Sequence, residues 1–174
     1  MGNRGCLHEG TEVVRHHRGR RWIVCETDFR GRWTRQWAPG RYTVLFFHDE
    51  AVALAAGHRP CAQCRWAAYR DFLAACGHRG SVDVLDERLH VERLTDGGHA
   101  AGWVDVPDGA FVRSDDGVPL LVDGDRLVPW SPSGYDPASA RPRPSSGRAS
   151  LLTPPTTCAA IRAGYRPQVD DSAS

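Results

Sequence analysis

The sequence predicts an α+β fold: a β-hairpin-and-helix module at about residues 1–80, followed by a helix, a small antiparallel β unit and a loop-rich C-terminal segment. Three observations predict it. β-branched and aromatic runs crowd the stretch before residue 50, and apolar residues at three-to-four spacing flank a Cys61-Ala62-Gln63-Cys64 knuckle. Short apolar runs broken by Asp-Gly turns then fill residues 103–130. With 174 residues and 41% apolar composition the chain can bury one core, or one core and a small appended module. The expected units are residues 1–80, an accessory unit at 81–167 packed on them, and a disordered tail at 168–174.

Taken in order, residues 20–29 have the composition of a strand, and Arg30-Gly31-Arg32 turns them into a second run at 33–37, so a hairpin is expected. After Pro39-Gly40, residues 42–47 read as a buried third strand. Asp49 caps a short helix at 50–56 that Gly57 ends. A second helix carries Trp66, Tyr69, Phe72, Leu73 and Cys76 up to Gly77, which sets the knuckle at its N-terminus. Residues 82–94 form a third helix, with Leu85, Leu89 and Leu94 opposite an acidic face. Pro107-Asp108-Gly109, Asp115-Asp116-Gly117 and Asp123-Gly124-Asp125 punctuate the β unit. Residues 131–150, rich in Pro, Ser, Gly and Arg, read as an extended linker or loop, and a short helix follows Pro154-Pro155. Residues 51–60 and 158–167 echo one another, each a short helix stopped by Gly and followed by Arg-Pro, which is shared helix-end chemistry rather than a repeat.

No window approaches the roughly 18 apolar residues of a membrane span, and the first residues lack the apolar run of a secretory signal, so no membrane partner and a cytoplasmic address are expected. Six cysteines in a chain of this length are too sparse for a disulfide scaffold; a reducing compartment keeps them as thiols or metal ligands. All 22 basic residues are arginine. Arginine exceeds Asp and Glu in residues 1–80, the reverse holds in 81–140, and the C-terminal part is again basic. That division suits either an N-terminal face for phosphate or two halves that attract one another.

Two cysteines with two residues between them turn both sulfurs toward one point, and the amides of an adjoining helix start favour the thiolate that zinc requires. Tetrahedral zinc wants about four ligands, so others must come from Cys6, His8, Cys25, His48, His58, Cys76, His78 or His90. Cys25 is the first choice, because a strand preceding the knuckle can return it beside Cys61. His8 or Cys6 is the second; two apart, they share a side of an extended segment. Cys76 and Cys158 read as core residues. An ordinary thiol pair in a helix cap is the plain alternative, and a redox pair lacks the βαβ setting it needs.

The run from Phe46-Phe47 through the alanine-rich helix to Gly57-His58-Arg59-Pro60-Cys61-Ala62-Gln63-Cys64-Arg65 resembles the second half of the metal-binding domain of the Ada DNA-repair proteins. The resemblance covers about 20 of the 174 residues, in the same order of strand, helix, Gly-x-Arg-Pro turn and knuckle. It implies a four-ligand zinc site in a small α/β module that touches the DNA backbone, with Cys61 and Cys64 as the second ligand pair. The family's first pair, one member of which accepts a methyl group, has only the unpaired Cys25 to meet it here, so that role is carried over to no residue.

His48-Asp49-Glu50 with Pro60-Cys61-x-x-Cys64 also spells the words of a zinc nucleobase deaminase. An intervening helix sets His48 on the order of 10 Å or more from Cys61, whereas ligands of one metal lie about 4 Å apart. His90-x-Glu92 reads as a solvated helix face. His16-His17 among arginines, interleaved with Trp22, Trp33 and Trp37, has the mixture that binds phosphate and stacks on bases, and equally that of hairpin edges packed on core tryptophans. The function expected is a zinc protein associated with DNA or RNA, with Arg15, Arg18, Arg20, Arg21, Arg30, Arg32, Arg35, Arg59 and Arg65 on backbone phosphate. The rivals are a metal- or thiolate-dependent enzyme on a nucleobase or small molecule, and a non-catalytic interaction module.

Overall fold

The computed structural model describes residues 1–31 and 34–174. Its N-terminal part is sparing in regular structure: β1 (Gly2–Asn3), β2 (His8–Glu9), β3 (Glu12–Val13), β4 (Ile23–Val24), α1 (Glu50–Ala55) and β5 (Arg59–Pro60). β4 is the middle of a small sheet, antiparallel to β1 and parallel to β5, with Ile23 opposite Arg59 and Val24 opposite Pro60. β2 and β3 make a separate two-stranded hairpin.

The expected strand at 20–29 therefore shrinks to Ile23–Val24, and its neighbours are β1 and β5 rather than residues 33–37. Arg32 and Trp33 lie outside the described residues, and residues 34–37 are not strand. Nor is the segment 42–47 a full strand; Leu45 alone bridges to Gly2. The reason is local. The Gln36 side-chain amide donates to the Val44 carbonyl and accepts from the Val44 N–H, both at 2.9 Å, taking the bonds a neighbouring strand needs.

Helix starts and stops follow their signals. The Asp49 carboxylate accepts from Val52 N–H at 2.8 Å to cap α1. Two further helices are α2 (Trp66–Ala75) and α3 (Val82–Arg93), the latter capped by Ser81. α1 and α2 end alike. Gly57 (φ 79°) donates to Leu54 O and His58 to Ala53 O, while Gly77 (φ 62°) donates to Ala74 O and His78 to Leu73 O. This is the paired C-terminal motif in which a left-handed glycine satisfies the last carbonyls.

The remainder comprises β6 (His99–Gly102), β7 (Phe111–Arg113), β8 (Pro119–Asp123), β9 (Arg126–Ser131), β10 (Gly134–Tyr135), β11 (Arg141–Pro142), β12 (Arg148–Leu151) and α4 (Pro155–Arg162). The sheet runs β10-β9-β8-β7-β12-β6, with β11 also on β9. Residues 131–150, expected as linker, thus contain three strands. β12 lies between β7 and β6 because Ala149 and Leu151 alternate inward, a pattern too short to stand out among prolines and serines. The helix-end echo is real as hydrogen bonding: Gly164 donates to Ile161 O and Tyr165 to Ala160 O after α4, as Gly57 and His58 do after α1.

One apolar cluster joins Leu54 and Phe72 to Leu85, Leu89, Ala160, Ile161 and Tyr165; another joins Ala51 and Val52 to Phe111, Leu121, Val128 and Ala173. Both cross residue 80, so side chains on either side of the expected unit boundary share cores. The tail expected to be disordered is packed: Gln168 O accepts from the first amides of α1, Asp170 N–H donates to Asp49, and Ala173 is buried.

α3 is tied to β5 through a buried ion pair. Arg59 Nε and Nη2 each donate to an Asp86 oxygen at 2.7 Å, and both side chains are 3% exposed. The fork geometry satisfies both groups, but removing one partner strands the other charge. Asp86→Ala is expected to destabilise the protein by about 3–5 kcal/mol, measured by denaturant unfolding; a loss under about 1 kcal/mol shows that Arg59 finds another partner.

Candidate metal centre

The cysteine site is a product of the β4–β5 register. Val24 and Pro60 are paired, and Cys61 N–H donates to Val24 O at 3.0 Å, so the next residues out of each strand, Cys25 and Cys61, emerge side by side. Cys64 returns to the same point through the turn before α2, where Arg65 N–H donates to Cys61 O. The three sulfurs lie within 4.8 Å of one another. Thiolates on one zinc stand about 4 Å apart, so small side-chain rotations close the set. These three cysteines could hold a metal ion.

Backbone donors already point at the sulfurs. Glu26 N–H reaches Cys64 Sγ at 3.3 Å and Gln63 N–H reaches Cys61 Sγ at 3.4 Å. Cys61 is the first of the three to ionise. A hydrogen bond from the Cys25 thiol, helped by backbone amides, pulls it down to about 5. Donating that bond, together with burial, pushes the Cys25 thiol up, and burial chiefly raises Cys64. Arg65 braces the knuckle from behind: its Nη1 pairs with Glu50 at 2.8 Å and its Nε with Glu26 at 3.1 Å. Glu50, 6% exposed, also accepts from Tyr165 Oη and Gln168 N–H. A cavity of about 250 Å³ adjoins the cluster, lined by Cys25, Glu26, Phe47, His48, Asp49 and Arg65 among others.

Among the described residues no fourth His, Cys, Asp or Glu joins this group. His8, expected as a ligand, is buried elsewhere, its Nδ1 2.6 Å from Thr43 Oγ1 and its ring edge-on to Trp37. Cys6 donates to His8 O at 3.6 Å. Burial pushes both Cys76 and Cys158 up to about 12, which keeps them as core thiols. His48 lies beside Ser172 and Asp170, and Glu50 is spent on Arg65 and Tyr165, so the deaminase arrangement does not assemble. His90 packs on His17 and Trp22, while Glu92 accepts from Thr156.

The nine arginines expected on phosphate divide. Arg59 and Arg65 are not available to it, the first buried against Asp86 and the second half-buried and paired with Glu50 and Glu26. Arg15, Arg20 and Arg21 sit in surface ion pairs with Glu9, Glu87 and Asp83. Arg18, Arg30 and Arg35 are exposed, and Arg32 lies outside the described residues. The sequence did not flag Arg4 and Arg93, which lie over the buried Trp22 ring at 4.1 and 4.7 Å; a lone arginine in a loop or at a helix end carries no pattern.

Comparison with protein-family models, with curated proteins and with solved structures gives no match. Among the described residues no helix is long and apolar enough to cross a membrane.

A metal must displace the protons held by Cys25 and Cys64, so its affinity is expected to rise with pH until both thiols ionise. Zinc titrations between pH 6 and 8 should show tighter binding at the higher pH, with the protons of both thiols released throughout that range. An affinity indifferent to pH means the thiols are not the ligands.

Proposed function

We propose that the protein binds zinc through Cys25, Cys61 and Cys64 and associates with nucleic acid through its arginine-bearing N-terminal surface. The observation that carries the metal half is the convergence of three soft donors, each from a different point on the chain, at one spot with backbone amides aimed at the sulfurs. Three thiols are the donor chemistry of zinc rather than of hard cations such as magnesium or calcium. The local resemblance of residues 46–65 to the Ada metal-binding domain supports the same reading. Holding Cys25 after β4, Cys61 after β5 and Cys64 before α2, the ion would pin the small sheet to α2.

The nucleic-acid half rests on fewer residues than the sequence suggested. Arg18, Arg30 and Arg35 are exposed with no carboxylate at ion-pair distance among the described residues, and together with the Ada resemblance they support contact with backbone phosphate. Arg15, Arg20 and Arg21 would have to leave weak surface pairs, which costs little.

A second reading has an observation of its own. Structural zinc sites are closed by four protein ligands, whereas catalytic ones keep a position open, and here three donors gather and one of them, Cys25, lines a cavity. That favours a metal-dependent enzyme on a nucleobase or small molecule. Cobalt substitution separates the two: visible bands that shift when imidazole is added mark an open position, and bands that do not shift mark a closed one.

Metal analysis of the purified protein is expected to give one zinc per chain, with Cys61→Ser and Cys25→Ser each losing it. Retention of zinc by both variants rules the site out. Binding to a DNA or RNA duplex should weaken with salt, and the triple substitution Arg18→Ala, Arg30→Ala, Arg35→Ala should flatten the log–log slope by roughly 0.9 for each phosphate contact removed. An unchanged slope excludes these three.

A further inference from the structure

A second region of the molecule is built around charge that the protein leaves unpaired. Trp22 is 2% exposed, and two guanidinium groups lie over its ring, those of Arg4 and Arg93. Among the described residues neither has a carboxylate at ion-pair distance. Arg4 spends its donors on neutral acceptors: His58 Nε2 at 3.3 Å, His16 Nε2 at 3.1 Å and Ala56 O at 3.2 Å. Arg93 donates from Nη1 to Arg20 O at 2.9 Å, while its Nε and Nη2 are buried with no acceptor. A guanidinium edge without an acceptor in a dry site is costly, and an anion relieves that cost. Burial brings both arginines down to about 10.

Both arginines line one cavity of about 520 Å³, with His16, Trp22, His99 and Arg113. Arg113 is exposed on β7, and its guanidinium has no hydrogen bond or ion pair among the described residues. Two acids share the wall. Glu92 is held by Thr156 through its backbone N–H and hydroxyl, and Asp96 lies in the exposed turn after α3.

This basic cavity meets another of about 620 Å³ at Ala55, Ala56 and Leu152. The second is aromatic, lined by Phe46, Phe47, Phe111 and Trp130. Phe46 is 73% exposed at its edge. Trp130 Nε1 is buried without an acceptor, in a wall whose one other polar side chain is His48. An orphaned guanidinium edge in one cavity and an orphaned indole N–H among aromatic rings in its neighbour call for a ligand that is anionic at one end and flat, apolar-faced and hydrogen-bond accepting at the other.

We propose that these adjoining cavities form a nucleotide site, with the phosphate beside Arg93 and Arg113 and the base among Phe47, Phe111 and Trp130. No cysteine lines either cavity, and Arg18, Arg30 and Arg35 take no part, so this site stands or falls apart from the zinc centre and the N-terminal surface. The nucleotide is either free or one unit of a single strand; the chemistry recognised is the same.

The test is calorimetric titration of the purified full chain with the four ribonucleoside 5′-monophosphates, their parent nucleosides, and short single-stranded oligonucleotides. At least one monophosphate is expected to bind, its nucleoside at least tenfold more weakly. Arg113→Gln should weaken the nucleotide several-fold, and Arg93→Gln more; because Arg93 packs on the Trp22 ring, Arg113→Gln carries the test if the Arg93 variant does not fold. Trp130→Phe, which keeps the ring and removes the donor, should weaken it several-fold too. Oligonucleotides that bind with the same dependence on Arg113 and Trp130 while monophosphates stay silent identify a strand as the source. No binding by either class at millimolar concentration overturns the proposal, as does binding that neither Arg113→Gln nor Trp130→Phe alters.

Discussion

The parallel pairing of Ile23–Val24 with Arg59–Pro60 is the constraint from which the rest of the N-terminal structure follows. It is two residues long, too short to hold by itself, and it is secured from three sides. Gly2–Asn3 completes the sheet along one edge. Arg59 is locked beneath α3 by Asp86. Trp22, immediately before β4, is buried under Arg4 and Arg93 and beside His58. A shift of one residue would turn Cys25 away from Cys61 and put Arg59 out of reach of Asp86.

That pairing links the two regions of chemical interest. On its outgoing end the chain delivers Cys25 and Cys61 to one place, with Cys64 one turn further on; on its incoming end it holds Trp22 and His58 against the arginines. The short α1 lies between the strands in sequence, and its glycine stop does two things. It sends the chain directly into β5, and its Gly57, where a Cβ would stand 2.8 Å from Arg93 Cγ, lets that side chain pass close over the backbone. Gly57→Ala would therefore strain both a left-handed backbone and the arginine packing.

Much of the helical part was legible in the residues. Asp49 and the glycines at 57, 77 and 164 mark a cap and stops whose energetics are local, and the structure uses each of them. The Asp-Gly turns of residues 107–125 likewise belong to the antiparallel unit they suggested. Strands were less legible. Apolar runs at 20–29 and 42–47 look like sheet because tryptophan, isoleucine, valine and phenylalanine suit it, yet Gln36 and the N-terminal residues compete for the same backbone groups, and only tertiary context says which wins. β12, hidden among prolines and serines, and the packed tail at 168–174 were missed for the converse reason: their partners lie far away in sequence.

The site divides the same way. The Cys-x-x-Cys spacing fixes by itself that Cys61 and Cys64 face one point, because a single turn before a helix allows little else. Which third sulfur meets them was decided by a parallel register between residues some 36 positions apart, and which arginines stay free was decided by where carboxylates fell. Arg59 and Arg65 look in sequence like their exposed neighbours and are in fact anchored by Asp86 and Glu50. Local chemistry is written along the chain; the pairing of charges and the meeting of distant sulfurs depend on three-dimensional packing, since Coulombic and metal-ligand contacts act over a few ångströms of space irrespective of separation along the backbone.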